Sequence, residues 1–247
     1  MATEYSSIIK HVLEIRLKKK NFSFLDFRGE MIDYLLSKTG FERIKISNNG
    51  ARIDVVSSDL SEIFFFSIEN FGLQIDGADD FKQFNEKVNQ LFSLIEGFGK
   101  YKFSDVVRVG TKSSVFCHQK GKSLEAVKQK YTDLMLSGYK KIEKATGASL
   151  KDLAFTFMDF EEGLGKTHIL TGPVTKDEVI TKFFGMHQKY QDFSKKVGIF
   201  YDIDYYQEKE KQVELEDLKE QILNNVKTIE EKFDGFLKLF ESKKDGK

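Results

Sequence analysis

Asp202 and Asp204 stand two residues apart, and on an extended strand that spacing turns both carboxylates to one face. Such a pair suits a divalent cation or a sugar-nucleotide, with Asp159, Glu161 and Glu162 as further oxygen donors and Lys166 as a charge partner for phosphate. The same alternation, with Tyr201, Ile203 and Tyr205 facing the other way, is also how a strand with one wet face reads. The solvated strand is the plainer reading.

Gly163-Leu164-Gly165-Lys166-Thr167 has the ending of a phosphate-binding loop, whose amides cradle phosphate while lysine reaches the terminal groups. The spacing fails, because the motif needs glycine where Phe160 stands, and Pro173 follows too soon for the required helix. A hairpin turn is expected there instead.

His11, His118, His168 and His187 never fall three or four apart, the spacing that would put two imidazoles on one helical face for zinc. Cys117 and His118 are adjacent, so a strand points them to opposite faces and denies them an activated thiolate pair. Cys117 reads as a buried structural residue. No cofactor motif and no nucleophile elbow is present.

Lys18, Lys19, Lys20 and Arg28 surround Phe22, Phe24 and Phe27, a mixture of cations and rings that could stack and hold single-stranded nucleic acid. The alternative is a strand end and a helix start that place Phe in the core and Lys in water. Charge favours the alternative. Lys plus Arg and Asp plus Glu both number 39, so no long-range field gathers polyanions or anionic lipid.

A single cysteine excludes an internal disulfide and fits a reducing, cytoplasmic setting. No run of about 18 apolar residues is available to cross a membrane, and no signal-peptide pattern opens the chain. At 247 residues with 24 Phe and 9 Tyr, the chain has ample material for a large core. With one proline and no Ser/Gly-rich stretch, it offers no flexible linker.

Several elements are needed to position these residues. Alternation predicts a strand over Ile8 to Leu17; steps of three and four at Phe27, Met31, Tyr34 and Leu35 predict a helix ending at Gly40. Asn48-Asn49-Gly50 predicts the turn of a hairpin between Phe41–Ile46 and Arg52–Val56. Ile63–Ile68 and Phe71–Ile75 change inward parity, so a turn at Glu69-Asn70 is expected. Phe81, Phe84, Val88, Leu91, Phe92 and Ile95 stripe a helix over Asp79 to Glu96.

The order then restarts. Val106 to Phe116 reads as a strand, and Leu124, Val127, Tyr131, Leu134, Gly138 and Ile142 as one long helix from Ser123. Leu153–Phe160, Thr167–Leu170 and Ile199–Tyr206 read as strands, and Thr175 to Phe193, whose pattern is ambiguous, is read as helical. A final helix carries Leu215, Ile222, Ile229 and Phe236 at steps of seven, long enough for its far end to pair with a second subunit. The charged tail, residues 242–247, is expected to fray.

These elements predict an α+β fold in which residues 1–98 and 99–241 form two fused strand-helix-strands-helix halves of a mostly antiparallel sheet. Helices on one face leave the other to water or a partner. An internal duplication would explain the repeated order.

Val12-Leu13-Glu14-Ile15-Arg16-Leu17, Val107-Arg108-Val109-Gly110 and Tyr201-Asp202-Ile203-Asp204, followed by a long helix through Phe233, resemble a sporadically distributed bacterial family of uncharacterised proteins of about this length. The resemblance implies a bacterial α+β protein with no established enzymatic activity, and it supplies no catalytic residue. In element order alone the chain is also similar to the saddle of TATA-binding-protein-like folds.

With ample core and no chemical constellation, the expected function is non-enzymatic binding of a protein partner, or of a second copy, through the open sheet face or the last helix. The alternatives are a metal-dependent enzyme on a phosphate-containing substrate at Asp202 and Asp204, and a single-strand nucleic-acid binder through Lys18 to Arg28.

Overall fold

A computed structural model of the chain describes residues 5–103, 105–136, 138–147, 153–161, 165–175, 177–178, 196–208 and 214–242. Most of residues 175–193, and the tail beyond Ser242, lie outside the described residues. The first half runs β1 (Tyr5–Leu17), α1 (Phe24–Thr39), β2 (Arg43–Ser47), β3 (Arg52–Val56), β4 (Glu62–Ser67), β5 (Asn70–Ala78) and α2 (Phe81–Phe98). The second runs β6 (Val106–Gln119), α3 (Leu124–Met135), α4 (Tyr139–Thr146), β7 (Phe155–Glu161), β8 (Gly165–Thr175), β9 (Val197–Glu208) and α5 (Leu215–Ser242).

All nine strands join one sheet in the order β2-β3-β4-β5-β1-β6-β9-β8-β7. Every neighbouring pair is antiparallel. In each half the first strand crosses through a helix to an outer edge, and the meander then walks back until its last strand pairs with the first. The halves meet at β1 and β6, paired from Tyr5 opposite Gln119 to Leu17 opposite Val106. The repeat is one of connectivity.

Period-two alternation in β1 decides which face is covered. Ile9, His11, Leu13, Ile15 and Leu17 are buried, and the hydrophobic ones share a single cluster with Met31 and Leu35 of α1, Phe84, Val88 and Leu91 of α2, and Leu218, Ile222, Val226 and Ile229 of α5. α3 lies on the same side, where Val127 and Tyr131 pack with Ile199 and Phe240. The last helix is therefore seated within its own chain, its far end included, since Phe240 is buried against α3. Lys10, Val12, Glu14 and Arg16 point to the opposite face, on which no described helix packs.

Local chemistry accounts for the boundaries. Asn48, Asn49 and Gly50 take left-handed φ of 53°, 54° and 85° and turn β2 into β3, as those residue types allow. Asp80 caps α2 by accepting from the amide of Gln83, and Ser123 caps α3 by accepting from that of Ala126. The long helix expected from Ser123 to Ile142 is two helices. Gly138 sits at φ 84° and starts α4 afresh, a conformation that a continuous right-handed helix cannot contain. Pro173 lies within β8 opposite Ile199, past Thr171, the last residue that β7 reaches, so the missing amide costs no ladder bond on that side.

Candidate functional site

The open face carries an ordered pattern of charge. Down β6, Arg108 and Lys112 point outward; down the adjacent β9, Asp202, Asp204 and Glu208 do the same. In register Lys112 is opposite Asp204 and Arg108 opposite Glu208, yet the ion pairs form diagonally. Lys112 Nζ reaches Asp202 Oδ2 at 2.8 Å, and Arg108 lies 3.8 Å from Asp204 Oδ2. Lys166, on β8 opposite Tyr206, reaches Glu208 at 3.0 Å. Arg108 rests on the Tyr206 ring, 4.1 Å from its centroid.

The pattern continues into the first half. Lys10 lies 3.5 Å from Asp76, Arg16 is 2.9 Å from Glu14, and Arg52 is 2.7 Å from Asp54 while covering the Phe65 ring at 4.3 Å. Toward one end the face turns apolar, where Ile8, Phe116 and Phe200 stand side by side in register and are buried.

The two aspartates are not equivalent. Asp202 is buried, accepts a hydrogen bond from the Ser114 hydroxyl, and is held by Lys112. Asp204 has a raised pKa because burial penalises its charge, opposed by Arg108 and Lys112. Its pair with Arg108 is too long for a hydrogen bond, and Arg108 Nε is buried with no hydrogen-bond partner. The centre of the strip thus holds a cation and an anion that satisfy each other incompletely.

Sequence reasoning placed Asp202 and Asp204 on one face, and the structure does so as well. Lys166 is set apart from them, against Glu208. Among the described residues, no three His, Cys, Asp or Glu side chains converge as metal ligands. Gly165 opens strand β8 rather than a helix, so Lys166 and Thr167 have no phosphate-cradling geometry. Cys117 is buried on the helix side, and His118 is on the other face, its pKa lowered by burial and by Lys196 and Lys120.

The basic and aromatic residues from Lys18 to Arg28 do not form one surface. Phe24 and Phe27 enter the core, Arg28 donates to the Gly50 carbonyl, and Lys20 pairs with Glu69 at 2.5 Å. Phe22 stays exposed beside Lys18 and Lys19.

A second feature lies on the helix side of the sheet. Between the first half of α5 and a ledge made by the start of β8 and the end of β9 is a cleft of about 460 Å³. Thr167, Tyr205 and Gln207 form its floor, and Gln221, Asn225 and Thr228 its wall. Sequence reasoning missed it, although a signal was present. Gln221, Asn224, Asn225 and Thr228 fall at helical spacing and give α5 an uncharged polar stripe beside its apolar one.

No protein-family profile matches the chain, and no curated protein matches it significantly. The site therefore rests on its own geometry.

Proposed function

We propose that this chain is a non-enzymatic binding protein that docks a protein surface on its open sheet face, and that the surface which fits best is the same face of a second copy. The observation carrying this reading is the basic column of β6 lying beside the acidic column of β9. A twofold axis parallel to the strands and midway between these columns lays each copy's Arg108 over the other's Glu208 and its Lys112 over the other's Asp204. An isologous contact needs this self-complementarity.

Charge swapping tests the reading. A variant with Arg108→Glu and Lys112→Glu, and another with Asp202→Lys and Asp204→Lys, are each expected to be monomeric by light scattering, because like columns then face each other. Mixed together they should form a heterodimer, since each now offers the complement of the other. The wild type should dissociate as salt rises. A wild type that is monomeric at low salt, or variants that dimerise as well as it does, would sink the proposal.

A further inference from the structure

The cleft under α5 is on the other side of the sheet from the charged strip. We infer that it binds a neutral, polyhydroxylated ligand, a saccharide of one or two rings.

Two carboxamides carry the argument. Asn225 is 3% exposed, lines the cleft, and its Nδ2 has no hydrogen-bond partner. One turn earlier on the same face, Gln221 Nε2 is likewise buried without a partner. A buried donor left unpaired is costly, and native proteins rarely keep one without reason. Both residues belong to the lining of one cleft, where acceptors on a bound molecule would partner them.

The rest of the lining states what kind of molecule. Thr167, Tyr205, Gln207, Asn224 and Thr228 are hydroxyls and carboxamides, each able to donate and to accept. A sugar hydroxyl has the same double capacity and can meet such groups all round. A nucleobase has a narrower edge and two apolar faces, and Tyr205 is the sole aromatic residue among the described lining to sandwich it. Exposed Asp217 and Glu220 stand at the rim, with Lys232 the one cation among the described lining residues, so these side chains repel phosphates and carboxylates. The volume falls within the range of about 300–1,000 Å³ typical of small-molecule sites.

Calorimetric titration with glucose, N-acetylglucosamine, maltose and sucrose tests the inference, with glucose 6-phosphate and adenosine as contrasts. At least one neutral saccharide should saturate the wild type. Gln221→Leu and Asn225→Leu should each weaken that binding on the order of tenfold or more, as expected for a lost buried hydrogen bond. Gln221 is the less buried of the two, so its variant keeps the test valid if Asn225→Leu does not fold; circular dichroism separates the cases. Glucose 6-phosphate should bind more weakly than glucose. The inference is overturned if no saccharide saturates the cleft, which would leave water as the partner of both amides. It is equally overturned if adenosine or the phosphorylated sugar binds more tightly, or if folded variants keep full affinity.

Discussion

The imidazole of His11 lies flat against the ring of Phe84, with centroids 4.5 Å and planes 3° apart. Phe81 closes edge-on at 4.9 Å. Nε2 donates to the backbone carbonyl of Asp80 at 3.4 Å, which leaves Nδ1 to accept from the Ser113 hydroxyl at 2.9 Å. One side chain thereby joins the first strand of each half to the N-terminal cap of α2. It is a polar pin through an apolar layer, and it works in the neutral state.

That neutrality predicts a pH dependence. Burial drives the His11 pKa from 6.5 down to about 3. Between these values the unfolded chain binds a proton that the folded chain refuses. Stability from this site is therefore complete above about pH 6.5 and falls by about 1.4 kcal/mol per pH unit as the pH drops toward 3. Urea unfolding of the wild type and of His11→Phe across pH 4 to 8 checks this, since the carboxylates they share cancel in the difference. The wild type should lose its advantage on acidification; parallel curves would count against the assignment.

Gly72 and Gly29 should respond to alanine with opposite signs. A Cβ on Gly72 would come within 1.9 Å of the Leu13 carbonyl oxygen and 2.7 Å of the Phe65 ring, so β5 and β1 would have to separate. Gly72→Ala is expected to cost at least about 3 kcal/mol, at the severe end of overpacking. Gly29 lies exposed inside α1 with nothing within 4 Å, and Gly29→Ala should stabilise by roughly 0.5–1 kcal/mol through helix propensity. Thermal unfolding of both variants reads the signs directly.

Tyr101 anchors the segment between the halves. Its ring packs within 5.3 Å of Phe66, 5.6 Å of Phe71 and 5.9 Å of Phe24, and its hydroxyl donates to the Ser67 carbonyl at 2.8 Å. Burial raises its pKa, so the phenol stays protonated. Tyr101→Phe should cost about 1–2 kcal/mol for the abandoned carbonyl, and Tyr101→Ala about 3–5 kcal/mol for the added cavity. Equal losses in denaturant titrations would show that the ring contributes nothing.

Asn225 offers a stability test that needs no ligand. Replacing its unpartnered amide by an apolar group of similar size removes a desolvation penalty, so Asn225→Leu should raise the stability of the free protein by about 1 kcal/mol. A gain in stability alongside a loss of binding is the trade-off expected of a functional site. Differential scanning calorimetry without added sugar measures the first half of it.

Local residue patterns were enough to set the elements and much of which face is wet. Alternation in β1 and β9 set Leu13 and Ile203 inward and Asp202 and Asp204 outward, because a period of two leaves no freedom once one face is apolar. The turn at Asn48-Asn49-Gly50, the helix stripes of α1, α2 and α5, and the α+β class follow from equally local rules. The break at Gly138 did not, because glycine in a helical pattern marks either a tolerated residue or a stop, and the conformation around it decides.

Tertiary structure alone decided what depends on register between distant strands. It set Lys112 against Asp202 and left Arg108 short of Asp204. It separated Lys166 from both aspartates, and it dispersed Lys18 to Arg28. It also brought the amides of α5 over Thr167 and Tyr205. Sequence periodicity fixes the direction of a side chain, but which residue stands opposite across a ladder, and what a helix meets when it crosses a sheet, is set by long-range packing that no local pattern encodes.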